Sequence, residues 1–88
     1  MTRRYRVEIT RTAERQLKKL TQDDRRRVVR TVAMLAIDPR PRGARKLAGY
    51  DDVFRVRTGR YRLIYSIADK RLTVLVLKIG HRKDLYRS

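Results

Sequence analysis

The sequence predicts an α+β domain in which a two-helix hairpin covers one face of a four-stranded, largely antiparallel sheet. Three observations favour this fold class: a strand-like alternation near the N-terminus, two segments of helical periodicity after it, and three strand-like runs separated by short turns. The chain has 88 residues, the length of one small domain with a thin core. A single domain over residues 1–88 is therefore expected.

The first two elements follow from apolar spacing. Residues 5–10 are predicted to form a strand, because apolar and polar side chains alternate there. Residues 11–20 are predicted to form a short helix, because apolar residues recur every three or four positions and Thr12 can cap the first turn. The buried positions expected of the strand are Tyr5, Val7 and Ile9.

A second, longer helix is predicted from Thr21 to about Asp38. Thr21 lies three residues before Asp24, in the manner of a capping box, and Pro39 cannot continue a helix. The apolar stripe expected to face the sheet consists of Val28, Val29, Val32, Leu35 and Ala36.

The second half of the chain predicts a basic loop followed by two hairpins. Residues 38–49 contain both prolines and show little periodicity, which is typical of a long loop. Strands are then expected over residues 52–57, 61–68 and 71–79, separated by the turns "TGR" and "DK".

Charge is the strongest feature of the composition. The chain carries 25 basic and 9 acidic residues, a formal net charge of +16. Arginine makes bidentate contacts with phosphate and stacks on bases, so nucleic acid is the favoured partner. The sequence lacks cysteine and has one histidine, so neither a structural metal site nor a cofactor is expected. No apolar run is long enough to cross a membrane, and we expect a soluble, cytoplasmic protein.

The stretch "VFRVRTGRYRLIY" crowds like charges onto one predicted hairpin. With a loop of even length near Gly59, the apolar residues share one face of the sheet and the arginines share the other. Like charges on one face repel each other, and a bound polyanion would relieve this repulsion. The arginines predicted to share the face are Arg55, Arg57, Arg60 and Arg62.

The residue types limit the chemistry that could act on such a polyanion. The carboxylates are scattered, which disfavours two-metal hydrolysis, and no Ser/His/Asp or Cys/His set can be placed. The remaining route uses the 2′-hydroxyl of RNA, which attacks the neighbouring phosphate while cations stabilise the developing charge. The candidates for such a site are Arg55, Arg57, Arg62, His81, Arg82 and Tyr86.

Two strings, "KLAGYDDVFRVRTGRYRLIY" and "IGHRKDLY", resemble the RelE family of toxins from type II toxin-antitoxin pairs. The resemblance spans nearly the whole chain and implies the RelE-like fold. It also implies cleavage of messenger RNA in the ribosomal A site, and inhibition by a cognate, RelB-like antitoxin in a hetero-oligomer. An acidic antitoxin segment is the expected partner of so basic a chain.

The resemblance implies roles for individual residues. Arg62 and Arg82 would stabilise the transition-state phosphate, with Arg82 a possible acid at the leaving oxygen, and Tyr86 would stack on or orient the substrate. Arg55 and Arg57 stand where well-known members have lysines, and arginine is a poor general base because it stays charged.

The resemblance does not identify the residue that accepts the 2′-proton. His81 is the side chain best suited to accept the 2′-proton, although strand alternation would point His81 and Arg82 to opposite faces. Arg45 and Lys46 are expected to touch the RNA backbone together with Arg60. Two alternatives stay open: a toxin like ParE, which acts on DNA gyrase, and a passive RNA-binding or ribosome-binding module.

Overall fold

The computed structural model describes residues 4–81 and has two helices and a five-stranded sheet. The elements are β1 (Arg6–Ile9), α1 (Arg11–Lys18), α2 (Gln22–Leu35), β2 (Arg45–Lys46), β3 (Val53–Thr58), β4 (Tyr61–Ala68), a 3-10 helix (Asp69–Arg71) and β5 (Thr73–His81). The strand order is β1-β5-β4-β3-β2, with β1 parallel to β5 and the other neighbours antiparallel. The α+β class is confirmed, but the predicted count of four strands is wrong.

The fifth strand, β2, lies in the segment predicted as a loop. Its two residues pair with Phe54 and Arg55 of β3. Between β2 and β3 the chain reverses direction in a turn, which is closed by a hydrogen bond from the Tyr50 amide to the Leu47 carbonyl (3.3 Å). Gly49 adopts a φ of 85° in this turn, a conformation that favours glycine.

Both helices begin at a threonine cap. Thr21 caps α2 by accepting a hydrogen bond from the Asp24 amide, as predicted. The cap of α1 is Thr10 rather than the predicted Thr12, and its hydroxyl accepts from the Ala13 amide (3.1 Å). Neither helix within residues 4–81 is long and apolar enough to span a membrane.

The core lies between the two helices and one face of the sheet, which we call the helix-covered face. From the helices come Ala13, Val28 and Leu35, and from the sheet come Val56, Leu63, Tyr65, Ile67, Val74, Val76 and Ile79. Val29, predicted to lie in the apolar stripe, is 48% exposed. Val29 follows the buried Val28 in α2, so its side chain is rotated around the helix axis, away from the core.

The loop after α2 is held by polar contacts to the sheet and to the 3-10 helix. The buried Tyr65 hydroxyl donates to the Pro39 carbonyl (2.7 Å), and burial raises the pKa of Tyr65 to about 12. Arg40 donates two hydrogen bonds to the Asp69 carboxylate, at 3.1 and 2.8 Å. These bonds, with one from the Tyr5 hydroxyl, lower the pKa of Asp69 to about 2.

Strand β5 contains a bulge that the sequence analysis missed. Ile64 pairs with Lys78 while the next residue, Tyr65, pairs with Val76, so Leu77 is the extra residue. Helix α1 secures the bulge from the side, since the Thr10 hydroxyl donates to the Leu77 carbonyl (2.9 Å). Gln16 then accepts from the Ile79 amide (2.7 Å), which satisfies the strand edge beyond the end of β1.

Candidate nucleic-acid interface

The β3–β4 hairpin sorts its side chains between the two faces of the sheet. Thr58 pairs with Tyr61, leaving Gly59 and Arg60 as a two-residue loop. Gly59 has a φ of 64°, as a tight hairpin turn often requires. This even loop length was predicted, and the resulting register places Leu63 opposite Val56 on the helix-covered face.

The opposite face, which no described helix covers, is called the open face here. Two pairs of arginines stand directly opposite each other on it: Arg45 with Arg55, and Arg57 with Arg62. Like charges opposed across strands destabilise a sheet. These four arginines are called the arginine array.

A cavity of about 300 Å³ is lined by the arginine array and Gly43. Arg62 is the most enclosed member, with 7% of its surface exposed, whereas Arg45 and Arg57 are exposed. Guanidinium groups that line one cavity are suited to bind a phosphate through directed hydrogen bonds.

A second cavity of about 530 Å³ adjoins the first and shares Arg55 and Arg62 with it. Its other lining residues are mostly apolar: Leu47, Tyr50, Val53, Ile64, Leu77 and Lys78. This second cavity is called the apolar pocket. The open face therefore carries a groove with a cationic half and an apolar half.

The bulge in β5 shapes the apolar half. Without it, strict alternation would place Leu77 and Lys78 on opposite faces of the sheet. With Leu77 inserted as the extra residue, both line the apolar pocket. A bulge next to a functional site commonly redirects a side chain in this way, and here it adds an amine to the groove.

The structure separates some residues that the sequence analysis grouped. Arg60 lies in the hairpin loop and does not line the arginine cavity, contrary to the expected sharing of one face. Lys46 pairs with Phe54, which puts it in the register of the helix-covered face rather than beside Arg45. Arg82 and Tyr86 lie outside the described residues.

His81 lies in register with Tyr61, on the helix-covered side of the sheet. Its ring meets the Tyr61 ring edge-on, with centroids 5.5 Å apart. It lines a cavity with Gln16 and Lys19 of the α1 region rather than the groove on the open face. Its role as proton acceptor stays a prediction.

Sequence reasoning missed Lys78 and Tyr50 as groove residues. In "TVLVLKI" apolar and polar residues do not alternate, so the sequence does not show which side chains lie on which face of the sheet. The one charged residue, Lys78, was the only sign of the bulge. Tyr50 lies in the turn before β3 and belongs to the groove only because β2 folds back onto β3. Residues 4–81 contain no group of three potential metal ligands.

The fold and the groove together define a small basic α+β domain that presents converging guanidinium groups on one open sheet face. The family model described as "ParE toxin of type II toxin-antitoxin system, parDE" matches residues 7–86. Toxin RelG of Mycobacterium tuberculosis is 40% identical over 91 residues, covering 94% of this chain and 97% of that protein. The chain therefore belongs to the RelE/ParE superfamily of toxins from type II toxin-antitoxin systems, as a RelE-like member.

Solved structures agree with this assignment. The toxin-antitoxin complex RelBE2 from Mycobacterium tuberculosis contains a similar chain, with a TM-score of 0.80 and 36% identity over 90% of this chain and 92% of that one. The archaeal RelE-RelB complex from Pyrococcus horikoshii gives a TM-score of 0.80 and 34% identity, over 93% of this chain and 97% of that one. The isolated RelE toxin of E. coli, at 24% identity and a TM-score of 0.78 over 94% and 92%, shares the fold.

Proposed function

We propose that this toxin is a metal-independent endoribonuclease that cleaves messenger RNA on the ribosome and so inhibits translation. The observation that carries the proposal is the arginine array, in which two directly opposed arginine pairs surround a cavity of about 300 Å³. Guanidinium groups that line one cavity suit the oxygens of a phosphodiester, which they can bind through directed, charge-assisted hydrogen bonds.

The proposed reaction is an internal phosphoryl transfer within the RNA. The 2′-oxygen attacks the adjacent phosphorus, a bond forms between them, and the bond from phosphorus to the 5′-oxygen breaks. The 2′-proton passes to a base on the protein, and the leaving 5′-oxygen takes up a proton. The products are a 2′,3′-cyclic phosphate and a 5′-hydroxyl, so atoms balance without a metal or a co-reactant.

The arginine array would place positive charge beside the phosphate, where negative charge develops in the transition state. The buried Arg62 guanidinium is proposed to stabilise the phosphate oxygens, with Arg55 and Arg57 on the neighbouring strand and Arg45 guiding the backbone. Arg82 and Tyr86, beyond the described residues, keep the roles that the resemblance to RelE implies: phosphate stabilisation or acid catalysis, and stacking or orientation.

Two side chains compete for the role of proton acceptor. His81 was proposed from the sequence, but it lines the cavity beside α1. Lys78 lines the apolar pocket with Arg55 and Arg62, and it also lines the cavity beside α1, so its amine lies between the two. We therefore favour Lys78, because a general base must reach the proton it removes.

The proposed partner is an antitoxin with an acidic segment. The structural relatives from Mycobacterium tuberculosis and Pyrococcus horikoshii are complexes of toxin with antitoxin, and the net charge of +16 favours an acidic ligand. A hetero-oligomer of this kind would hold the toxin inactive until the antitoxin is removed.

The matching family model is named for the ParE toxin. The alternative function is therefore that of a toxin like ParE, inhibition of DNA gyrase. Nothing in that activity requires a phosphate-binding array or a base. The arginine array on the open face thus favours the ribonuclease, and the same experiment can separate the two, together with passive RNA binding.

The test uses the purified toxin, ribosomes programmed with a defined message, and primer extension to map the message ends. Wild-type toxin should give cuts at fixed codon positions, and Arg62→Ala should lower the cleavage rate about 100- to 1,000-fold, as loss of one transition-state donor does. Arg30→Ala, which removes an exposed arginine of α2, is the matched control. Intact message with a gyrase defect would support the ParE alternative, and salt-sensitive binding without cuts would support the passive module.

A further inference from the structure

We propose that the cavity beside α1 binds a phosphate dianion, and that the bound anion inhibits cleavage by drawing the Lys78 amine out of the groove. The inhibitory part rests on the proposed function, because it takes Lys78 as the proton acceptor, whereas the binding part does not. The cavity has a volume of about 370 Å³. The lining residues that carry the proposal are Gln16, Lys19, Leu20, Tyr61, Lys78 and His81.

The charged groups of this cavity are cationic. Lys19 and Lys78 are exposed lysines, and His81 adds a further positive charge when it is protonated. Among residues 4–81, no carboxylate lines the cavity. Two ammonium groups in one concave site favour an anion with more than one charge, because each can donate charge-assisted hydrogen bonds to its oxygens.

Gln16 adds a neutral donor whose position is fixed. Its Oε1 atom accepts a hydrogen bond from the Ile79 amide (2.7 Å), which anchors the side chain to the edge of β5. The Nε2 group of the same amide can donate to a ligand, since a primary amide carries two donor hydrogens beside its acceptor. A donor that is already oriented loses little freedom when it binds an oxygen atom.

Arg25 offsets the negative end of α1, which would otherwise disfavour an anion. The carbonyl groups at the C-terminal end of a helix carry partial negative charge. The Arg25 guanidinium donates to the Lys18 carbonyl (2.9 Å) and to the Leu20 carbonyl (3.4 Å). This end of α1 therefore opposes an anion less than a helix end without a cation would.

Lys78 links the cavity to the groove. Its amine lies between the two, because it lines both the apolar pocket and the cavity beside α1. An ammonium paired with a dianion holds its proton more tightly, and a lysine that keeps its proton cannot accept one from the 2′-hydroxyl. Phosphate in the cavity should therefore lower kcat.

The first test measures binding by NMR, with inorganic phosphate as the probe and potassium chloride at equal ionic strength as the reference. Phosphate should shift the side-chain amide of Gln16 and the methyl signals of Leu20, with a Kd of about 1–10 mM, the strength of a few partly exposed, charge-assisted hydrogen bonds. Lys19→Ala should weaken this binding about tenfold. Lys18→Ala is the matched control, since Lys18 pairs with Glu14 (3.6 Å) and does not line the cavity.

A second variant and a second probe sharpen the binding test. Gln16→Glu keeps an acceptor for the Ile79 amide but replaces the donor with a negative charge, so it should stay folded and lose the Leu20 shifts. Urea unfolding of each variant gives its folded fraction. Glycerol 3-phosphate distinguishes the sources of the dianion: shifts as large as those from inorganic phosphate indicate a phosphomonoester ligand, and their absence indicates the free ion.

The second test measures cleavage of ribosome-bound message at increasing phosphate concentration, relative to the phosphate-free rate of the same variant. Phosphate in the cavity should lower kcat about tenfold at ten times the measured Kd, because only the unoccupied fraction cuts. Phosphate on the arginine array would compete with the message and raise KM instead. Lys19→Ala should shift the kcat effect to about tenfold higher phosphate and leave the KM effect in place. Lys18→Ala should keep both effects as in wild type.

The outcomes separate the anion site from the nuclease. If the toxin never cuts the message but phosphate shifts the Gln16 and Leu20 signals, the nuclease assignment fails and the anion site stands. If the toxin cuts and phosphate leaves those signals unmoved, the anion site is overturned while the nuclease stands. If phosphate binds in the cavity without lowering kcat, the inhibitory role is wrong. If Lys19→Ala weakens antitoxin binding but not phosphate binding, the cavity is a protein contact and the proposal is wrong.

Discussion

The two faces of the β3–β4 hairpin are built from alternate residues of the same two strands, yet one face is apolar and the other is cationic. On the helix-covered face, Leu63 pairs with Val56, and both are buried in the core. One residue away, on the open face, Arg62 pairs with Arg57. The first pair adds apolar contact to the core, whereas the second places two like charges opposite each other, an arrangement that disfavours strand pairing. Residues next to each other in the chain therefore serve the core and the proposed site separately.

The largest effect should come from breaking the helix-covered face. Leu63 is fully buried, and Leu63→Ala should lower the free energy of unfolding by about 2–5 kcal/mol, through lost burial and the cavity left behind. Urea unfolding followed by circular dichroism measures this change. In conditions where the variant is still folded, its cleavage rate per folded molecule should match wild type. A folded variant with a large loss of rate would show that the two faces are not separable.

A substitution in α1 should show where the two faces meet. The Thr10 hydroxyl caps α1 and also donates to the carbonyl of the bulged Leu77. Thr10→Val keeps the shape and loses both bonds, so unfolding should become easier by about 0.5–2 kcal/mol, the usual cost of losing a cap. Because the bulge places Leu77 and Lys78 in the groove, cleavage should also fall.

Thr10→Ser retains the hydroxyl and is the control for this variant. It should restore both the stability and the cleavage rate, measured by urea unfolding and by primer extension. If Thr10→Val loses stability but cleaves at the wild-type rate, the position of the bulge does not matter to the groove. The assignment of Lys78 as proton acceptor would then lose its structural basis.

The sequence predicted the sorting of the β3–β4 hairpin because both strands alternate clearly around a short loop. It did not predict β2, since a two-residue strand has no periodicity and forms only where the turn at Gly49 brings it against β3. The bulge was hidden because residues 73–77 are almost continuously apolar. Thr10 and Thr12 are both suited to cap α1, and the structure selects Thr10, whose hydroxyl also reaches Leu77 in the folded sheet.

The sequence predicted the arginines of the candidate site but not its apolar half. Arg55, Arg57 and Arg62 follow from alternation, and Arg45 joins them through β2. The expectation that Arg60 shares their face was wrong, because Arg60 lies in the two-residue hairpin loop. The expected contacts of Lys46 and Arg60 with RNA stay predictions. Residues of the apolar pocket come from three separated parts of the chain, so only tertiary structure brings them together.

The smallest expected effect tests the cost of the open face directly. Arg57 is exposed and stands opposite Arg62, so Arg57→Thr removes one charge of an opposed pair and places a good strand former there. Stability should rise by about 0.2–1 kcal/mol, and the gain should shrink as salt screens the remaining charges. Cleavage should fall at the same time, because the array loses one guanidinium group.

Arg6→Thr is the matched control for this last prediction, since Arg6 is an exposed strand arginine whose partner, Thr73, is uncharged. It should gain no salt-dependent stability and should cleave normally. A loss of stability in Arg57→Thr, measured by urea unfolding at low and high salt, would mean that the opposed arginines do not repel each other in the free protein. In that case the array would not need a polyanion to offset its own charge, and its geometry would not favour RNA as the ligand.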